Sequence, residues 1–227
     1  MHIHYISEQN SILNHFLAQL RDVEIQKDAM RFRKNIERIG EIMAYELSKT
    51  LPYKKVSVQT PLGVKNTMII EDNVVLCSIL RAGLALHTGF MNFYDDAENG
   101  FVSAARVHGA TEIMVEYQAA PSFEGKHLLL VDPMLATGFS LVAVYNKLMQ
   151  HQTPKEIHIC VVIAAPEGIQ FLQENLPDHV HLWVASLDDG LNADKYIIPG
   201  IGDAGDLAYG EKLLMANIAV RTVSLTQ

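Results

Sequence analysis

The residues best suited to chemistry concentrate at positions 128–140, LLLVDPMLATGFS. An apolar run ends at Val131 and a carboxylate follows at Asp132. Pro133, Met134, Leu135, Ala136 and Thr137 then lead through Gly138 into a helical pattern that includes Phe139 and Ser140. A strand-to-helix turn of this kind aims backbone N–H groups and a helix N-terminus at whatever occupies the loop, which suits a phosphate. Thr137 and Ser140 add hydroxyl donors. Asp132 stands where it can accept hydrogen bonds from sugar hydroxyls, so the segment suits a sugar phosphate better than a bare phosphate. The plainer alternative is an ordinary turn capped by Asp132. No GxxxxGK[ST] run occurs, so a P-loop is not indicated.

Two further segments carry the same kind of signal. At 78–83, SILRAG, Arg81 closes an apolar run and Gly83 allows close backbone approach. A planar, permanently charged guanidinium matches phosphate oxygens, although a surface arginine at a turn explains the spacing equally well. At 196–210, YIIPGIGDAGDLAYG, four glycines and a proline fall within fifteen residues. Gly200, Gly202 and Gly205 formally match GxGxxG, yet only 22 residues follow Gly205, too few to complete a dinucleotide-binding unit. Exposed backbone N–H and C=O groups that read the edge of a flat heterocycle fit the segment better. Asp203 and Asp206 then orient a neighbour, hold a metal or stabilise turns.

These segments need a scaffold, and the hydrophobic pattern predicts one. Residues 74–80, 128–131 and 157–164 are near-continuous apolar runs, as in strands buried on both faces, and 180–185 reads as a shorter strand. Helical patterns at 141–149 and after Pro166 separate them, which predicts an α/β fold with a parallel sheet flanked by helices. Ligands in such sheets bind beyond the carboxyl ends of the strands, so motifs are sought just after each apolar run. Phe32, Ile36, Ile39, Met43 and Leu47 form a helical stripe, so residues 1–50 are expected to be a helical arm on a single domain spanning 1–227. Arg31, Arg33, Lys34 and Arg38 read as that arm's solvated face.

Composition narrows the function classes. The 227 residues are 49% hydrophobic with a net charge of −8, which supports a real core and argues against sequence-independent nucleic-acid binding. No apolar run approaches the ~20 residues of a membrane helix, and no signal peptide is evident, so a cytoplasmic protein with no membrane partner is expected. Cys77 and Cys160 sit in apolar runs and read as reduced core thiols. His2 with His4, or His179 with His181, could share a strand face, but neither set has a convincing third ligand and no protein-held metal is expected.

Taken together, the chain resembles the uracil phosphoribosyltransferases. VDPMLATG at 131–138 is similar to their phosphoribosyl-pyrophosphate (PRPP) signature, YIIPGIGDAGD at 196–206 to their uracil-binding loop, and ILRAG at 79–83 to their diphosphate-side arginine segment. AAPEGI at 164–169 and RFR at 31–33 also fit. The resemblance implies a type I phosphoribosyltransferase fold with a small hood, and conversion of uracil and PRPP to UMP and diphosphate in pyrimidine salvage. It implies Mg²⁺ carried mainly by the PRPP diphosphate. By the same likeness Asp132 holds the ribose hydroxyls, and Pro133, Met134, Leu135, Ala136, Thr137, Gly138, Phe139 and Ser140 wrap the 5′-phosphate. Arg81 and Arg106 grip the diphosphate. Ile197, Gly202 and Ala204 read uracil through backbone atoms, and Asp203 acts near both substrates. A homo-oligomer, dimer or tetramer, is expected, and GTP is a candidate effector as in some relatives. The chain departs from the pattern at Phe139, where the family has glycine, at Ser78, where it has proline, and in the hood at 105–112, where the acidic cluster is thinned to Glu112. Those departures keep two alternatives open: a ligand-sensing relative that binds UMP, uracil or PRPP without turnover, and an enzyme for another base.

Overall fold

A computed structural model describes residues 1–71, 73–106 and 113–212, with residues 105 and 106 described by backbone alone. The core is an eight-stranded sheet in the order β1 (His2–Tyr5), β10 (Val180–Leu187), β9 (Glu156–Ala164), β7 (His127–Val131), β4 (Val74–Leu80), β5 (Glu98–Arg106) and β6 (Ile113–Ala119). The short β8 (Met134–Leu135) adds to β9. Among the described residues, every pairing within this sheet is parallel except β5 with β6. The expected parallel sheet with flanking helices is therefore what the chain forms.

Alternation along the strands explains the continuous apolar runs. Val75, Cys77, Leu128, Leu130, Ile159 and Val161 face α4 (Phe139–Leu148) and α5 (Pro166–Asn175). Leu76, Leu129, Val131, Cys160 and Val162 face the opposite layer, built from α1 (Leu13–Arg21), α2 (Ala29–Ser48) and α3 (Gly83–Met91). Helices on both faces leave these central strands no polar side. Burial pushes the Cys77 thiol up to about 12 and the Cys160 thiol well above its usual range, so neither is a ready nucleophile.

The expected helical arm over 1–50 needs correction. Its first residues are β1, an edge strand paired in parallel with β10, and its helices are part of the core. Asp28 caps α2 by accepting the Arg31 N–H at 3.1 Å, and Phe32, Ile36, Ile39, Met43 and Leu47 are buried against the chain's own sheet. Arg33 does not lie on a plain solvated face. Its Nη1 donates to the Ala208 carbonyl at 2.6 Å, tying α2 to α6 (Ala204–Tyr209). A hairpin of β2 (Tyr53–Thr60) and β3 (Gly63–Ile70), absent from the sequence reading, forms a separate antiparallel ribbon with Val58, Leu62, Val64 and Met68 exposed. The hood residues 107–112, including Glu112, lie outside the described residues. Among the described residues, no helix is long and apolar enough to cross a membrane.

Candidate active site

A cleft of about 260 Å³ opens at the carboxyl ends of β4 and β7. Its floor is the turn from β7 to α4. The Asp132 N–H donates to the Cys160 carbonyl at 3.1 Å, and the Pro133 carbonyl accepts from the Val162 and Ile163 N–H groups at 3.0 Å each. Leu135 closes the strap by accepting from Ala165 N–H at 2.9 Å. The loop is thus held to β9 by backbone bonds and leaves its other side for a ligand. Gly138 precedes α4 as its N-cap at φ +82, in the left-handed region, and the helix N-terminus opens on the cleft. Gly168 matters equally: a Cβ there would meet the Ala136 carbonyl at 2.3 Å, so only glycine lets α5 close on the loop.

Asp132 sits half-buried at the mouth of β7. Desolvation pushes its carboxyl up to about 7, opposed by the Met134 N–H, which donates to Oδ1 at 3.3 Å, and by the charge of Lys212. Met134, Leu135, Ala136, Thr137, Gly138 and Ser140 line the cleft with it. Pro133 does not, being turned to its bonds with β9. Phe139 does not either. Its φ is not positive, and its ring stacks edge-on against Phe171 at 4.6 Å, outside the cleft lining. Phe139 therefore points away from the cradle as the first residue of α4.

The opposite wall comes from β4 and the chain's last described segment. Arg81 lines the cleft, and its Nη2 donates to Asp206 Oδ1 at 2.9 Å and to the Gly210 carbonyl at 3.1 Å. Asp203 caps α6 by accepting the Asp206 N–H at 2.9 Å, and its other oxygen lies 4.0 Å from Lys212 Nζ. Asp203, Gly205 and Lys212 all face the cleft. Lys212 was missed in the sequence because it belongs to no recognised segment. Ile197, Gly202 and Ala204 do not contribute to the lining. The Ile197 and Ala204 side chains are buried in the core, and Gly202 holds φ +79 within the turn. Arg106 ends β5, and its side chain is outside the described set.

A partly buried ion pair, its carboxylate fully enclosed, anchors the 196–203 loop from behind. Arg21, at the end of α1, pairs with Asp188, which is 5% exposed, and Arg21 Nη1 also donates to the Gly200 carbonyl at 3.0 Å. The Gly200 N–H donates to Asp188 Oδ2 at 2.9 Å. Gly200 takes φ +67 and packs so closely that a Cβ would lie 2.1 Å from the Ile197 carbonyl. The turn and its anchor are thus one unit. Neither Arg21 nor Asp188 was singled out in the sequence, since 167 positions separate them.

The architecture can grip a phosphate on the Thr137–Ser140 turn, a hydroxyl-bearing sugar on Asp132, and a second anionic group near Arg81 and Lys212. Comparison with known proteins supplies the family. A sequence profile described as Uracil phosphoribosyltransferase matches residues 6–211. A protein named uracil phosphoribosyltransferase from Porphyromonas gingivalis is 45% identical over 216 residues, covering 94% of this chain and 100% of its own. One of the same name from Pyrococcus furiosus is 37% identical, covering 94% of this chain and 93% of its own. Among solved structures, the AQ2163 protein from Aquifex aeolicus is similar with a TM-score of 0.83 at 30% identity, covering 92% of this chain and 98% of that one.

Proposed function

The chain belongs to the uracil phosphoribosyltransferase family, and from that premise we propose how its cleft transfers the phosphoribosyl group of PRPP to uracil, giving UMP and diphosphate. One observation carries the assignment of the cleft: Asp132 and the Thr137–Ser140 turn share a single cavity with Arg81, Asp203 and Gly205.

The 5′-phosphate rests on the N-terminus of α4, receiving backbone N–H groups and the Thr137 and Ser140 hydroxyls. Asp132 accepts from the ribose hydroxyls and fixes the sugar relative to the 5′-phosphate. Positive charge builds on the ring as the bond from C1 to diphosphate breaks, so the work left to the chain is alignment and stabilisation of the leaving group. Arg81 exchanges Asp206 for diphosphate oxygens, with Lys212 beside it. The 196–203 loop presents backbone groups to uracil, and hydrogen bonds to its carbonyls favour loss of the ring N–H proton, so no strong general base is required. Phosphoribosyltransferases generally use Mg²⁺ with PRPP. Asp132 and Asp203 are oxygen donors of the kind that suit this hard cation, and they would hold it together with the diphosphate. When bound it would supply charge stabilisation to the departing group. The exposed apolar side chains of the β2–β3 hairpin support an oligomer.

The direct test is incubation with labelled uracil, PRPP and Mg²⁺, with a control lacking PRPP. PRPP-dependent UMP is the expected result. A folded protein that binds UMP or PRPP calorimetrically yet forms none would favour the sensor alternative. A second measurement addresses the departure from the family pattern. Phe139→Gly should leave KM for PRPP within about twofold, because the ring stacks on Phe171, and should lower stability by about 1 kcal/mol through glycine's helix penalty and the lost ring contact. A large gain in PRPP affinity would show that Phe139 obstructs the cradle.

A further inference from the structure

The far end of the sheet carries a cluster with no part in this chemistry. His127 opens β7 and Glu156 opens β9, and the parallel register pairs them directly. His158 lies two residues beyond Glu156, so alternation returns its side chain to the same face. His127 Nδ1 is 3.3 Å from Glu156 Oε2, and His158 Nε2 is 3.4 Å from the same oxygen. All three donor atoms lie within 4.8 Å of one another. The imidazoles are 1% and 0% exposed, while the Glu156 side chain is 42% exposed.

We propose that His127, Glu156 and His158 form a binding site for a zinc-class transition-metal dication that clamps β7 to β9 at the end of the sheet opposite the cleft. Ligands about 2.0–2.1 Å from a tetrahedral ion stand about 3.3–3.4 Å apart, which is the spacing of both imidazole nitrogens from the carboxylate oxygen. Two imidazoles and one carboxylate suit zinc, cobalt or nickel, whereas magnesium and calcium prefer oxygen donors alone. The exposed side of Glu156 provides an entry path and leaves a fourth position for water.

One contact opposes the metal and supplies the assay. Trp183 Nε1–H donates to His158 Nδ1 at 3.3 Å, which leaves the His158 proton on Nε2, facing Glu156. Coordination through Nε2 moves that proton to Nδ1, where it confronts the indole N–H, and the long hydrogen bond is lost. Trp183 is the chain's only tryptophan. Its fluorescence therefore reports on the cluster.

The experiment is a Zn²⁺ titration of the chelator-treated full chain, followed by calorimetry and tryptophan emission, with Mg²⁺ as comparison. The expected result is one equivalent of Zn²⁺ bound with a change in Trp183 emission, no response to Mg²⁺, and affinity weakened at least about tenfold by Glu156→Gln. The partial exposure of Glu156 keeps that variant folded, and its metal-free melting curve checks this. His4→Gln should leave Zn²⁺ binding intact. The proposal is overturned if Zn²⁺ fails to bind at about 100 µM, if binding survives Glu156→Gln unchanged, or if His4→Gln abolishes it, which would assign the ion to the His4–His181 pair at the sheet edge.

Discussion

Asp132→Asn lowers turnover by about 10²–10³-fold while making the ligand-free protein more stable at neutral pH. The two effects share one cause. The wild-type carboxyl is held up at about 7 by desolvation at the mouth of β7, so its charged form is poorly accommodated until a substrate hydroxyl reaches it. In the unfolded chain the same group ionises near its ordinary value of 3.8. Below that value both states are protonated and asparagine confers no advantage. As pH rises from about 4 to about 7 the unfolded carboxyl ionises first, and the wild type loses stability relative to the permanently neutral variant. Above about 7 the difference is constant, at no more than about 4 kcal/mol for a carboxyl moved from 3.8 to about 7, or a melting point up to about 10 °C higher in a chain of this size. Thermal melts of both proteins at pH 4 and pH 8, with steady-state rates, test the whole argument. Equal melting points at pH 8 would remove the desolvated carboxylate, and wild-type turnover would remove Asp132 from the ribose.

The contrast between what the sequence reading reached and what it missed follows from locality. Residues 74–80, 128–131 and 157–164 announce buried parallel strands because both of their faces need apolar side chains, and each phosphate-side segment follows such a run directly. β1 offers no such signal. Its four residues, HIHY, alternate weakly, and its partner strand begins at Val180. The β2–β3 hairpin was missed for the opposite reason: neither face is buried, so its apolar residues mark no core. The Phe139 substitution looked serious from the string ATGFS because the sequence does not say where the left-handed position falls. The backbone puts it at Gly138, and Phe139 is spared. The His127–Glu156–His158 cluster depends on the register of two strands, whereas the histidine pairs visible in the sequence lie on β1 and β10 or just outside it.

Arg21→Met exposes the remaining long-range element, with an expected loss of about 3–5 kcal/mol. The substitution keeps most of the side chain's volume but leaves Asp188, 5% exposed, as a buried carboxylate retaining the Gly200 N–H and no cation. It also removes the guanidinium hydrogen bonds to the Gly200 carbonyl and to Ser186 Oγ, at 3.0 and 3.2 Å. Gly200 sits at the tight left-handed turn of the proposed base loop, whereas the phosphate turn is fixed independently by its backbone strap to β9. The kinetic damage should therefore be asymmetric: KM for uracil rises about tenfold and KM for PRPP changes by less than about twofold. Arg21→Met with Asp188→Asn should recover much of the stability, because the unpaired charge is gone, and little of the uracil affinity, because the loop anchor is still missing. Denaturant unfolding of both single variants and the double variant, with substrate-resolved kinetics, separates the two. A parallel rise in both KM values would mean that the ion pair supports the sheet as a whole and not the loop that reads the base.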